Sequence, residues 1–78
     1  MNTLTIKKST PFAQNIRFEK HLMSIELTDG RIIGIPLEWF PKLRDANDKQ
    51  RKNWRLIGKG IGIHWDGIDE DILVETLL

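Results

Sequence analysis

Residues 22–36 of the chain read LMSIELTDGRIIGIP, and this stretch contains its clearest strand and turn signals. Apolar and polar residues alternate through its first half, as they do in a strand with one buried face. Asp29-Gly30 then gives the strongest short-range hairpin signal in the chain, because both residues tolerate the positive φ angles of a type I′ turn. Residues 31–36 are therefore the predicted return strand.

A third strand precedes this hairpin. From Gln14 the alternation is already present, with Ile16 and Phe18 apolar and their neighbours polar. Lys20-His21 is the predicted tight turn between this strand and the next. Three adjacent antiparallel strands with one apolar face form a curled meander, and that face needs a covering layer.

The covering layer is predicted from the residues after Pro36, which cannot continue a central strand. Pro41 suits the first position of a helix, so residues 42–46 form a predicted helical turn. Asn47 can cap a second helix with Gln50 three residues later, as in a capping box. The second helix is predicted over Asp48–Trp54, and the residues expected to face the sheet are Leu43, Ala46 and Trp54.

The remaining segments complete one small domain. Small and β-branched residues alternate over 58–65, which indicates a twisted or bulged strand, and a short helix is favoured over a strand in 68–78. Residues 1–13 have weak periodicity and are predicted to form an N-terminal arm, with a possible short strand at Leu4–Lys7. The predicted fold is α+β: a small antiparallel meander packed by short helices in a single domain, 14–78.

Length and composition limit the possible functions. A chain of 78 residues buries a small core, so we expect self-association to add stability and predict a homodimer. The chain contains no cysteine, which fits a reducing compartment and leaves no thiolate zinc site. Its apolar runs are far shorter than the roughly 20 residues of a membrane span, and its first residues lack a secretory pattern. The expected location is the cytoplasm.

Charge is unevenly distributed along the chain. Residues 42–59 hold seven lysines and arginines against two aspartates, a net charge of +5, whereas residues 66–78 hold five carboxylates and no base. The two segments can face each other in one molecule, pair across a dimer, form separate surfaces, or be merely solvated faces.

The segment 62–71, GIHWDGIDED, places a histidine, a tryptophan and four carboxylates together. A metal or acid/base site at His64 with Asp66 or Asp69 is one interpretation, but a metal site usually needs more converging ligands. Structural closure is favoured, with Trp65 in the core, its indole N–H on a carbonyl, and Asp69 capping a last helical turn. No metal, cofactor or catalytic residue is predicted.

The glycines at 58, 60 and 62 do not form a nucleotide fingerprint. They lack the lysine-serine ending of a phosphate loop and no helix pattern follows them. Close backbone packing under the tryptophans, or a bulge, is the favoured interpretation.

The tryptophans have two possible uses. Core mass comes first in a domain this small, with Trp39 predicted to be half exposed as an interface anchor. The alternative is a stacking platform for single-stranded nucleic acid beside the basic residues of 49–59.

Four ordered motifs of the chain resemble the bacterial family known as domain of unknown function 2442. They are DGR at 29–31, IPLEWFPKL at 35–43, QRKNWRLI at 50–57, and GIHW at 62–65 followed by IDEDI at 68–72. The family pattern usually has a proline where this chain has Asp66. The resemblance implies a small α+β domain without assigned catalytic residues, whose genes often lie beside that of another small protein, as in toxin–antitoxin pairs.

The function predicted from the sequence is non-enzymatic binding of a partner protein, as an antitoxin-like or adaptor component, with possible homodimerisation. The alternative is a nucleic-acid-binding module that uses the basic helix 48–55. The predicted partner-binding residues are Trp39, Lys49, Arg51, Lys52, Arg55, Asp69 and Glu70.

Overall fold

A computed structural model describes residues 11–78 as two antiparallel three-stranded sheets joined by short helices. The strands of the first sheet are β1 (Ala13–Phe18), β2 (Leu22–Leu27) and β3 (Ile32–Pro36), and those of the second are β4 (Trp54–Ile57), β5 (Gly62–Trp65) and β6 (Glu70–Leu73). In the sequence, a 3₁₀ turn (Leu37–Trp39) and the helices α1 (Pro41–Arg44) and α2 (Asp48–Lys52) connect the two sheets. A second 3₁₀ turn (Val74–Leu77) follows β6. The predicted α+β class is confirmed.

The first sheet is the predicted meander, with strand order β1-β2-β3. The turn at Lys20-His21 is confirmed, since Glu19 and Leu22 exchange backbone hydrogen bonds across it. Ala13 and Ile16 are three positions apart, so in a regular strand their side chains would point to opposite faces. A bulge between Ala13 and Asn15 places both of them in the core.

The turn at Asp29-Gly30 exists, but it is not of type I′. Gly30 has a φ of +95°, whereas Asp29 is not in the positive-φ region that a type I′ turn requires of both central residues. The loop is three residues long, closed by the bond from the Leu27 N–H to the Arg31 carbonyl. Asp29 Oδ1 accepts the Arg31 N–H at 3.1 Å, so the aspartate stabilises the turn with its side chain.

The helix signals are confirmed at their starts. Pro41 is the first residue of α1, and both bonds of the capping box between Asn47 and Gln50 are present. The predicted end of the second helix at Trp54 is wrong, because α2 ends at Lys52 and Trp54 begins β4. Leu43 is fully buried as predicted, while Ala46 and Trp54 are half-buried.

The second sheet was only partly foreseen. A strand at 62–65 fits the prediction, but residues 70–73, expected to be helical, form β6 beside it. Only Val74–Leu77 is helical, as a single 3₁₀ turn. Asp69 is not a helix cap: its φ of +52° places it in the left-handed region at the β5–β6 turn.

One core unites the two sheets. Its fully buried side chains come from both sheets, from α1 and from the second 3₁₀ turn, and the largest are Trp65, Met23, Ile25, Leu27, Leu43, Ile63 and Val74. The Trp65 indole N–H donates to the Arg51 carbonyl at 3.0 Å, which confirms the predicted carbonyl partner. Trp65 also meets Phe18 of the first sheet edge to face, with ring centroids 6.4 Å apart.

Gly60 joins the two sheets through its backbone. Its carbonyl accepts the Ala13 N–H at 2.8 Å, and a Cβ on Gly60 would lie 2.2 Å from the Ala13 carbonyl oxygen. Close backbone packing is therefore confirmed for this glycine, although its neighbour is β1 and not a tryptophan.

The first described residues join the first sheet. Phe12 exchanges two hydrogen bonds with Thr28, and β1 begins at Ala13. The possible strand at Leu4–Lys7 lies outside the described residues. Within residues 11–78, none of the helices has the length and apolar character needed to cross a bilayer.

Candidate functional site

The surface around α2 is formed by two clefts, one on each side of the helix. The first has a volume of about 450 Å³ and lies between α2 and the end of β1. Phe18 and Trp54 supply its aromatic walls, and its charged lining comprises Arg17, Glu19, Asp48, Arg51 and Lys52. The second, more open cleft lies between α2 and the β5–β6 turn and is lined by Lys49, Gln50, Lys52, Asn53 and Gly67.

Lys49 and Lys52 are the available cations of this surface. Both side chains are exposed, and neither forms an ion pair or hydrogen bond with any residue of 11–78. Lys52 lines both clefts, so its ammonium group can reach an anion on either side of the helix. Two of the predicted partner-binding residues are thus brought together with their charges unneutralised.

Arg51 lies on the same helix but is used inside the molecule. Its guanidinium donates to the Leu43 carbonyl at 2.9 Å and to the Arg44 carbonyl at 2.7 Å. The guanidinium carbon also lies 5.7 Å from the centroid of the Phe18 ring. Arg51 therefore ties the end of α1 to α2 and to the first sheet, a role that the sequence prediction of partner binding did not include.

Replacing Arg51 with alanine should destabilise the domain by about 2 to 4 kcal/mol, because two charge-assisted hydrogen bonds to carbonyls are lost. Lysine should not restore the loss, since an ammonium group lacks the planar fork that bridges both carbonyls. The free energy of unfolding from urea titration measures the effect. Lys52→Ala is the matched control, expected to change stability by about 0.5 kcal/mol or less; equal losses in the two variants would contradict this role.

Arg55 and the acidic residues lie on the second sheet. Arg55 forms an ion pair with Asp66 at 3.5 Å, so part of the basic segment does meet the acidic segment within one molecule. Asp69 is exposed in the β5–β6 turn, and its carbonyl oxygen lies 3.4 Å from Lys42 Nζ. Glu70 is half-buried at the start of β6, opposite Trp65. Of the predicted partner-binding residues, Arg55, Asp69 and Glu70 therefore line neither of the clefts beside α2.

His64 lies between two carboxylates on the outer face of the second sheet. Its Nε2 is 2.8 Å from Asp66 Oδ1, and its Nδ1 contacts the carboxylate of Asp71, its cross-strand partner on β6. The aspartates approach opposite nitrogens of the ring, so they cannot converge on one ion bound by the imidazole. No suitable metal-binding group of three or more side chains is formed within residues 11–78. Asp69, considered as a partner in the sequence, is not in this cluster.

The hydrogen bond to Asp71 raises the pKa of His64 above its ordinary value. Asp66 acts in the same direction, whereas partial desolvation of the ring opposes both. The two aspartates both accept, so the arrangement fits a doubly protonated imidazolium.

A raised pKa in the folded state gives a stabilisation that is complete below the unfolded pKa of about 6.5 and is lost as pH rises through the folded pKa. We expect His64→Gln to lower the melting temperature more at about pH 5.5 than at about pH 8.5, which bracket the ordinary histidine range. Thermal melts of both proteins at both pH values test this. A gap between the two proteins that is the same at both pH values would contradict it.

Trp39 lies apart from α2, in the 3₁₀ turn after β3. Its side chain is 60% exposed, which agrees with the prediction of a partly exposed tryptophan. Beside it, Arg44 forms ion pairs with Glu38 and Asp45, both at 2.9 Å.

Arg17 and Phe18 belong to the α2 clefts but were not predicted as site residues. Both lie on β1, at least 30 positions before α2, and no local spacing connects them to it. Only the fold brings them together, so the sequence contained no usable signal.

The fold and surfaces define a class: a small α+β domain of two antiparallel sheets with one shared core. The chain belongs to the DUF2442 family, described as proteins of unknown function, whose model matches residues 13–78. This confirms the family resemblance.

A solved structure supports the same fold. The crystal structure of a protein of unknown function from Rhodospirillum rubrum is 25% identical to this chain and superposes with a TM-score of 0.75. The match covers 88% of this chain and 86% of that chain. No curated protein matches the sequence.

Proposed function

We propose that the domain binds a partner protein at α2, through an acidic segment of that partner, and that it does so without catalysing a reaction. The observation that carries this proposal is the pair of exposed, unpaired lysines, Lys49 and Lys52. Both line the second cleft, and Lys52 also lines the first, which has aromatic walls. Cations that lack an internal partner are available to an external anion.

The two clefts together favour an anionic ligand. Their lining contains four cations, at positions 17, 49, 51 and 52, against two carboxylates at 19 and 48. The cleft beside β1 can also take a bulky apolar side chain against Trp54, which is half-buried at its wall. An apolar anchor surrounded by charge is the usual arrangement of a binding hot spot and its rim.

The chemistry of the first cleft supports binding rather than catalysis. Its lining residues include no serine, threonine, cysteine or histidine that could act as a nucleophile or as a base near neutral pH. Two of its cations are already in use, since Arg17 pairs with Glu26 at 3.3 Å and Arg51 holds two carbonyls.

Nucleic acid is the second candidate for the same lysines, but the aromatic contacts favour a protein. Stacking of bases needs an open ring face. The guanidinium of Arg51 lies over the Phe18 ring, and Trp65 makes an edge contact with the same ring. Of the two aromatic side chains in this cleft, Phe18 is therefore occupied by Arg51 and Trp65, and Trp54 alone is left for base stacking.

We propose further that the domain acts in the cytoplasm as an adaptor or antitoxin-like component, whose partner is the product of a neighbouring gene. The test is co-purification of the chain with that product, followed by a growth assay with and without the domain. Co-purification with restored growth supports the antitoxin-like role, and co-purification without a growth effect supports an adaptor.

The surface is tested by single charge reversals. Lys52→Glu should weaken binding of the partner at least about tenfold, the effect of roughly 1.4 kcal/mol at an interface. Lys59→Glu, in the loop between β4 and β5, carries the same charge change outside both clefts and should bind normally. Equal affinity for both variants would refute the α2 surface. Binding to an oligonucleotide that falls steeply with salt would instead establish the nucleic-acid function.

A further inference from the structure

The free edge of the first sheet is β3. The strand order is β1-β2-β3, and the outer side of β1 is already joined to Gly60. At the two ends of β3, Arg31 and Leu37 both bond to the β2 side, through Leu27 and His21 respectively. Because backbone groups alternate along an antiparallel strand, the residues that direct theirs away from β2 are the even-numbered ones, 32, 34 and 36.

This edge lacks the features that usually prevent association. Natural edges carry lysines, charged inward-facing residues or bulges. The five residues of β3, IIGIP, include no charge, and Pro36 at the end removes only one donor. The N–H groups of Ile32 and Gly34 accordingly have no partner on their outer side within residues 11–78.

The two most exposed large apolar side chains of the described chain lie at opposite ends of this edge. Ile32 at the start of β3 is 59% exposed, and Trp39, three residues beyond its end, is 60% exposed. The charges at the two ends are paired within the chain, Arg31 with Asp29 and Glu38 with Arg44, both at 2.9 Å, so neither end carries a net repulsive charge. Such an edge is complementary to an inverted copy of itself.

We propose that two copies of this chain pair along β3, antiparallel, to form a continuous six-stranded sheet with the two-fold axis at Gly34. Pairing the strand over its full length places Gly34 opposite its own copy and Ile32 opposite Pro36 of the other copy. The outward N–H groups of Ile32 and Gly34 then each find a carbonyl across the axis, while the missing donor of Pro36 leaves one carbonyl per copy without that partner.

The side chains on both sides of the edge favour this register. The antiparallel arrangement brings Ile32 of one copy toward the Trp39 end of the other, so each exposed apolar group covers the other, twice by symmetry. Glycine at the axis lets the two strands approach without a side-chain clash on the outer face.

The proposal does not depend on the function proposed for α2, because no residue lining the α2 clefts belongs to β3. A variant that loses the dimer but still binds the partner would therefore show that the β3 pairing and the α2 surface are independent. A variant that loses partner binding but stays dimeric would show the same.

The first test is the mass in solution, measured by light scattering over a range of protein concentrations. The wild-type chain should be dimeric at high concentration, and Ile32→Lys should be monomeric while keeping its circular dichroism spectrum. Leu73→Lys is the matched control, since Leu73 is 45% exposed on β6, an edge strand of the second sheet. It should leave the dimer intact. A wild-type monomer at every concentration, or a dimer that is lost with Leu73→Lys and kept with Ile32→Lys, would overturn the proposal.

The second test determines the register, and the cysteine-free sequence makes it direct. Gly34→Cys should form a disulfide-linked dimer on oxidation, because the Cα atoms of a hydrogen-bonded pair across the axis are about 5.5 Å apart, within the range that a disulfide spans. Ile32→Cys should not, since its copy would lie about 14 Å away along the strands. The new Cβ at Gly34 would be 3.1 Å from a terminal methyl of Leu22, a flexible side chain that can shift. Cross-linking at 32 in place of 34 would refute the register, and if Gly34→Cys fails to fold, the Ile32→Lys result decides the proposal.

Discussion

Replacing Trp65 with alanine is expected to leave the domain largely unfolded at room temperature. The side chain is fully buried at the end of β5, where it meets both Phe18 and the Arg51 carbonyl. Truncating a buried aromatic costs about 3 to 5 kcal/mol, and a core of this size supplies roughly that much in total. Loss of the far-UV and near-UV circular dichroism signals at low temperature would report the unfolding.

A milder change at the same position separates packing from hydrogen bonding. Trp65→Phe keeps an aromatic ring but leaves the Arg51 carbonyl without its donor, so it should fold with a lower urea midpoint. The control is Trp39→Ala, studied in dilute solution where the chain is monomeric, because this indole is mostly exposed and should contribute little to folding. Comparable losses at the two tryptophans would mean that the core is not organised around Trp65.

Gly60→Ala is expected to have an effect of similar size. The added Cβ would lie 2.2 Å from the carbonyl oxygen of Ala13, and the φ of +111° is one that alanine adopts only with strain. Strain of roughly 1 to 2 kcal/mol and overpacking of about 1 to 3 kcal/mol act together, and backbone atoms cannot move aside as a side chain can. The free energy of unfolding should fall by at least about 3 kcal/mol, measured by urea titration.

The control for Gly60 is Gly30→Ala. Gly30 also has a positive φ, +95°, but a Cβ there would meet nothing within 4 Å. Only the conformational strain remains, so the expected loss is about 1 to 2 kcal/mol. If the two variants were equally destabilised, the contact between Gly60 and β1 would not be what joins the sheets.

The first sheet could be predicted because its signals are local. Alternation over six residues in β2 and a glycine turn set the strands and their order. The turn type could not be inferred, because Asp29 stabilises a three-residue loop through its side chain, a choice that the dipeptide alone does not distinguish. The capping box at Asn47 was similarly local and was predicted correctly.

The second sheet was harder for a physical reason. Its strands have four residues each, too few to establish a period, and β6 begins with two acidic residues that suggest a helix start. Its pairing places Trp54 opposite Trp65, 11 positions away, which a single-strand pattern does not report. Tertiary pairing therefore overrides the weak local preference.

The candidate site divides in the same way. Lys49 and Lys52 were evident as charges on one short helix, and their exposure followed the prediction. Arg51, between them in the sequence, was expected to be equally available, but the position of α1 gives it two carbonyls to hold. The charges of a segment can be counted from its sequence. Whether a charged side chain bonds inside the molecule depends on which other segment the fold places beside it.

The two meanders also have a consequence for folding kinetics. Each sheet pairs only neighbours in the sequence, across loops of two to four residues, so its hairpins can form on the microsecond timescale without closing a long loop. The bond between Ala13 and Gly60, by contrast, joins residues 47 positions apart, from 13 to 60, one in β1 and the other in the loop between β4 and β5. Docking of the two prefolded halves is therefore the slow, entropically costly event. Variants in the hairpin loops, whose structure forms before docking, should chiefly slow folding, whereas variants of junction contacts that are completed after docking begins should also speed unfolding.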